Sequence, residues 1–126
     1  MDFKLQLVPI PVADVERAKA FYADAMGFHL DHDIDGGPNF RVIQLTPQGS
    51  SCSIAIGTGF ISNAPGSVQG LHLVVEDIRA AREELVRRGV DVKDVEDMSA
   101  PGKPTVSYAA FSDPDGNGWT LQQIGS

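Results

Sequence analysis

The feature that most constrains this chain is that its two halves can be laid over each other. VADVERAKAFYADAMGF (12–28) matches VEDIRAAREELVRRGV (75–90), with Val12 on Val75, Asp14 on Asp77, Val15 on Ile78 and Ala18 on Ala81. Further on, TPQGSSCSI (46–54) matches DPDGNGWTL (113–121), with Pro47 on Pro114, Gly49 on Gly116 and Ile54 on Leu121. Two matches in the same order at nearly the same displacement describe a repeated structural unit, because one short match arises easily by chance and an ordered pair does not. A chain of 126 residues is then one domain built of two small units that share a core.

Each unit reads as one helix and four strands. Phe3 to Pro9 is apolar and extended, with Pro9 and Pro11 closing it. Asp14 stands where a helix cap belongs, Val15, Ala18, Phe21, Tyr22 and Ala25 recur at helical spacing, and Gly27 ends the run. Three strand-like runs follow over 28–33, 40–46 and 51–56, separated by the turn formers DGGPN and PQGS. After a Gly- and Pro-bearing stretch the pattern restarts. Leu71 to Val75 is apolar, Asp77 caps a helix that faces inward with Ile78, Ala81 and Leu85 and ends at Gly89, and strands are expected over 90–92, 105–111 and 119–124. The boundaries expected are one domain over 1–126, with a first module over 3–57, a linker over 58–68 and a second module over 69–124.

Charge and composition narrow the partners. Seventeen acidic residues against ten basic give a net charge of −7, which opposes binding to nucleic acid or to an anionic membrane and suits neutral or cationic ligands. No apolar run reaches the ~18–20 residues of a membrane span. The first residues also lack the pattern of a secretion signal, so a cytoplasmic location is expected. The single cysteine, Cys52, excludes an intrachain disulfide and a multi-cysteine zinc cage.

The duplicated βαβββ pattern, with VADVERAKAFYADAMGF early and FSDPDGNGWTLQQ (111–123) late, resembles the vicinal-oxygen-chelate superfamily of glyoxalases, bleomycin-resistance proteins, extradiol dioxygenases and fosfomycin-resistance enzymes. The resemblance runs from about Leu5 to Ile124. It implies an α+β fold in which two tandem βαβββ modules form curled mixed sheets with an enclosed cup, and a homodimer. It also implies four metal-ligand places, one on each of four strands lining the cup. Five residues before the valine of the V-x-D helix entry lie Leu7 in the first module and Gly70 in the second. Ser53, or Ala55 if the loop is one step longer, and Thr120 occupy the other two. None of these side chains is a competent transition-metal ligand. His72, two residues from Gly70 and on the same strand face, is the one nearby imidazole. His29 and His32, with odd spacing, are expected on opposite faces.

The residues otherwise carry ordinary structural work. DPDGN is a hairpin turn, Phe21 and Tyr22 belong to packing, Trp119 belongs behind its sheet, and Cys52 faces away from the cup if Ser53 faces in. If Leu7 and Ser53 line the cup, the period of two adds Leu5, Pro9, Ser51 and Ala55, and in the second module His72, Val74, Thr120 and Gln122. The ligand-contacting set expected is Leu7, Ser53, Ala55, Gly70, His72, Thr120 and Gln122, with no metal and no cofactor. The first functional reading is a metal-free binding protein of resistance type whose homodimer sequesters a small organic ligand, cationic or aromatic. The second is a lyase, isomerase or dioxygenase that uses a displaced metal site or metal-free acid–base chemistry at His72. The third is an accessory module without a ligand.

Overall fold

A computed structural model describes residues 1–125. The order of elements is β1 (Leu7–Pro9), α1 (Val15–Ala20), β2 (His29–Asp35), β3 (Arg41–Thr46), β4 (Ser53–Thr58), β5 (Leu71–Val74), α2 (Ile78–Arg87), β6 (Glu96–Met98), β7 (Val106–Ser112) and β8 (Gly118–Ile124). They build two four-stranded mixed sheets, in the orders β1-β4-β3-β2 and β5-β8-β7-β6. In each, the first strand pairs in parallel with the last and the remaining pairs are antiparallel. The repeat seen in the sequence is therefore a repeat of topology. The sheets are open, and within one chain they do not close into a cup.

Both helices start on the predicted aspartates. Asp14 accepts from the Arg17 N–H at 3.0 Å and Asp77 from the Ala80 N–H at 3.1 Å, satisfying donors that the first helical turn leaves unpaired. After Ala20 the first helix widens into a π-helical turn, Phe21–Ala25, which brings Tyr22 to full burial. One face of each sheet alternates inward, with Ile43, Leu45, Ile54 and Ile56 in the first and Ala109, Phe111, Trp119 and Leu121 in the second. These join Tyr22, Ile78 and Leu85 in a single core shared by both units.

At the centre of that core lies a polar knot. Tyr22 donates to Asp113 Oδ2 at 2.7 Å, Trp119 Nε1 donates to the Tyr22 hydroxyl at 2.9 Å, and Asn117 Nδ2 donates both to Asp113 Oδ2 and to the Pro11 carbonyl at 2.8 Å. Asp113 Oδ1 takes the Asp115 and Asn117 amides, each at 2.9 Å, so the DPDGN turn is held by its own first residue. Trp119 packs behind its sheet against Tyr22, Phe28 and Phe111, where the period of two places it.

Three expectations need correction. The first strand is shorter than Phe3 to Pro9, since Phe3 and Leu5 stand 88 % and 72 % exposed outside it. The strand expected over 90–92 is not one. Val90 and Val92 are buried as plugs in a connection, and the Arg82 guanidinium takes the Val92 and Lys93 carbonyls at 3.0 and 2.8 Å in place of a ladder. The fourth strand of the second sheet is instead Glu96–Met98, an exposed edge strand without an apolar pattern. Finally, β2 is His29–Asp35 and carries a bulge between Leu30 and His32. The extra residue undoes the odd spacing: His29 lies opposite Thr46 and His32 opposite Gln44, so both histidines sit at positions paired with the same face of β3.

Candidate functional site

The sheet faces turned away from the core are the cup faces. In the first sheet Leu7 pairs with Ser53 and Pro9 with Ala55, while Gln44 lies across from Ala55. In the second, His72 pairs with Thr120 and Val74 with Gln122, while Ala110 and Tyr108 lie across from Thr120 and Gln122. Leu7, Ser53, Ala55, His72, Thr120 and Gln122 thus stand on the faces that parity assigns them. Gly70 immediately precedes β5, in the left-handed backbone region at φ +82°.

Strand register bears on the choice between Ser53 and Ala55. Extended by one residue, the β5–β8 register sets Gly70 opposite Gly118 as Leu7 lies opposite Ser53, so two places further along the partner strand stand Ala55 in the first sheet and Thr120 in the second. Leu7 is then one diagonal step from Ala55, as Gly70 is from Thr120. The places that the resemblance expects to carry ligands are Leu7, Gly70, Thr120 and Ser53 or Ala55. Leucine, alanine and glycine have no donor atom in the side chain, and a neutral threonine hydroxyl is a poor one. Among the described residues no group of three or more His, Cys, Asp or Glu side chains converges as a metal cage.

The first cup face carries instead a hydrogen-bonded network that parity on β3 would have located. Asp31, in the β2 bulge, accepts from the Thr46 hydroxyl and from Gln44 Nε2. Gln44 also donates to Ser53 Oγ at 3.3 Å, and the Thr46 and Ser53 hydroxyls are 2.6 Å apart. The Thr46 hydroxyl, then Gln44 and the two nearby histidines, hold the Asp31 carboxyl below its ordinary range despite some desolvation. His29 Nε2 lies 3.7 Å from Asp31 Oδ1. RVIQLT alternates apolar and polar residues, so Gln44 and Thr46 were legible as cup residues. Asp31 was not, because only the bulge brings it there.

The second cup face forms a concavity of about 510 Å³ in which His72 and Thr120 meet Tyr108, Lys93, Asp94 and Glu96. The His72 and Tyr108 rings lie 6.1 Å apart at 55°, a tilted pair that leaves ring surface toward the concavity. No residue of the first cup face lines it. Cys52, expected to face away from the cup, is a half-buried free thiol whose Sγ contacts the Ser53 carbonyl.

Residues 4–121 match the model of the glyoxalase/bleomycin resistance protein/dioxygenase superfamily. The chain belongs to that superfamily. Among solved structures, it is similar to TnmS3, an antibiotic binding protein from Streptomyces sp. CB03234, at 36 % identity and a TM-score of 0.81, covering 98 % of both chains. It is also similar to a glyoxalase/bleomycin resistance protein from the same organism, at 37 % identity and a TM-score of 0.76, covering 95 % of this chain and 100 % of that one. A glyoxylase-like domain-containing protein from Didymella fabae is 26 % identical over 111 residues, spanning 87 % of this chain and 85 % of the relative. As a glyoxalase/bleomycin-resistance-type chain it has two repeated four-stranded sheets. Among the described residues no helix is long and apolar enough to cross a membrane.

Proposed function

We propose that this protein is a metal-free small-molecule binder that sequesters an antibiotic-like organic ligand between the cup faces of a homodimer. What supports the reading is the chemistry at the places the resemblance reserves for metal ligands, where Leu7, Gly70, Thr120 and Ser53 or Ala55 offer no strong donor and are flanked by polar groups suited to an organic ligand. The second half-site has a volume within the range of small-molecule sites and pairs aromatic rings with carboxylates. With Asp31 ionised on the opposite half-site and a net charge of −7, the walls favour an aromatic ligand that is neutral or cationic. The similarity to an antibiotic binding protein over nearly the full length of both chains supports the same class of ligand.

A second copy supplies the missing wall. The cup faces expose Ile34, Val74, Met98 and Ile124 by 54–70 %, and β1 and β5 are unpaired sheet edges in the chain. The enzyme alternative rests on His72, which makes no hydrogen bond to another side chain among the described residues and so has no orienting partner.

The test is a thermal-shift and calorimetric screen against polycyclic aromatic antibiotics, run beside elemental analysis of dialysed protein. Saturable binding with a raised melting temperature, and metal far below one ion per chain, are expected. One tightly held metal ion per chain together with turnover that chelation abolishes would establish the enzyme instead.

A further inference from the structure

The first cup face is polarised along its strands. Arg41 marks the side of β3 that faces α1, because its guanidinium donates to Asp33 at 2.7 and 3.0 Å and to Glu16. Its neighbours Phe40 and Val42 therefore stand on the cup side, where Val42 lies opposite Ile34. The ladder runs on to Phe40, whose carbonyl takes the Gly36 N–H at 2.8 Å. One end of the face is thus apolar, with Phe40, Val42 and Ile34. The other end holds Gln44, Thr46, Ser53 and Asp31, joined by hydrogen bonds.

The apolar end carries an aromatic pair. Phe60, in the loop after β4, sets its ring 6.2 Å from that of Phe40 at an angle of 57°. The loop is fitted to make this contact. A Cβ on Gly57 would run into the Arg41 carbonyl and the Phe60 ring, and one on Gly59 into the Asn39 carbonyl, so only glycine lets the loop lie this close to the β2–β3 turn. A pair that served only to pack would be covered, yet the two rings remain 42 and 39 % exposed. Their joint surface is free to receive a third ring, since aromatic rings gain from tilted or offset neighbours beyond the area they bury.

At the polar end, Asp31 accepts from Thr46 and Gln44, and among the described residues its one ion-pair neighbour is the exposed His29, at 3.7 Å. Lys19 and Arg41, on the other side of the sheet, are both spent on Asp33. The Asp31 charge is therefore open to a cation from outside the chain. Resting on the binding function proposed above, we infer that Phe40 and Phe60 hold the ring system of the ligand and Asp31 its cationic group. The ligand class is a fused-ring aromatic with a protonated amine about 13 Å away, the four strand steps from Phe40 to Gln44.

Daunorubicin and its aglycone daunomycinone provide the test, because they share one fused-ring system and only the first carries an amine. The fluorescence of the rings reports binding of either, and far-ultraviolet dichroism checks that each variant is folded. The parent should bind daunorubicin about fivefold more tightly than the aglycone, the worth of a partly exposed ion pair. Phe40→Leu and Phe60→Leu, which keep apolar bulk and remove the rings, should each weaken both probes about three- to tenfold. Asp31→Asn should weaken daunorubicin alone, to the level of the aglycone. Daunorubicin bound by any of the three variants as by the parent, or both probes bound equally by the parent, would overturn the inference. So would a parent that binds neither probe. In that last case, saturable binding of another compound in the broader screen leaves the metal-free binder standing, whereas binding of none removes both.

Discussion

The phenol of Tyr22 shows how one buried atom ties the two units together. It donates to Asp113 and accepts from Trp119, so it stands between the turn of one repeat and the helix of the other. Burial, then the Asp113 carboxylate, push its pKa far above the ordinary phenol value near 10. The folded state therefore holds this proton more tightly than the unfolded state. Its contribution is complete below pH ~10 and is lost as pH rises further, at up to ~1.4 kcal/mol per pH unit, because only the unfolded chain then releases the proton. Urea titrations from pH 8 to 11 should show that decline, and Tyr22→Phe should flatten it. The variant should also lose about 1–3 kcal/mol at neutral pH, since the buried Trp119 N–H is left unpaired. An unchanged midpoint would mean that water or a rearranged side chain replaces the hydroxyl.

At the level of strands, what could be read in advance was whatever depends on period and caps. Asp14 and Asp77 mark the helix starts, and parity alone puts His72, Thr120 and Gln122 on one face. Parity failed where one residue was added. The β2 bulge reverses the relation between His29 and His32 and turns Asp31 toward Gln44 and Thr46, and nothing in HLDHDID announces it. Pattern also misled at Val90 and Val92, whose burial comes from plugging a connection, while Glu96–Met98 pairs as an edge strand with Asp97 held by Ser107 and Arg79. The choice between Ser53 and Ala55 turns on ladder register, which sequence matching around two unequal turns does not supply. If the second cup face contacts ligand, His72→Ala and Thr120→Val should each weaken binding about two- to tenfold, the worth of one hydrogen bond, with unfolding midpoints unchanged. Titration calorimetry with a ligand found in the screen measures this. Parent-like affinity in both variants would move the site off this face.

For the whole molecule, the decisive question is how two faces turned away from a common core come to enclose anything. The core is continuous across both units, so folding the sheets toward each other within one chain would expose Tyr22, Trp119 and Ile43 to water. The cost of opening that core is large, since each such side chain gains ~1.5–3 kcal/mol from burial. Association of two chains is the cheaper route, because it leaves the core intact and covers Ile34, Val74, Met98 and Ile124, which are solvated in the single chain. A two-fold arrangement in which the first cup face of each chain meets the second face of the other satisfies both copies at once and closes without leaving an unpaired surface. Light scattering and sedimentation at micromolar concentration should therefore give twice the 13.5 kDa chain mass. Val74→Asp and Ile124→Asp, placing carboxylates on that face, should shift the protein toward monomer and abolish ligand binding together, while the far-ultraviolet dichroism of each chain stays unchanged. A parent that remains monomeric across this range, yet binds its ligand, would show that one half-site suffices.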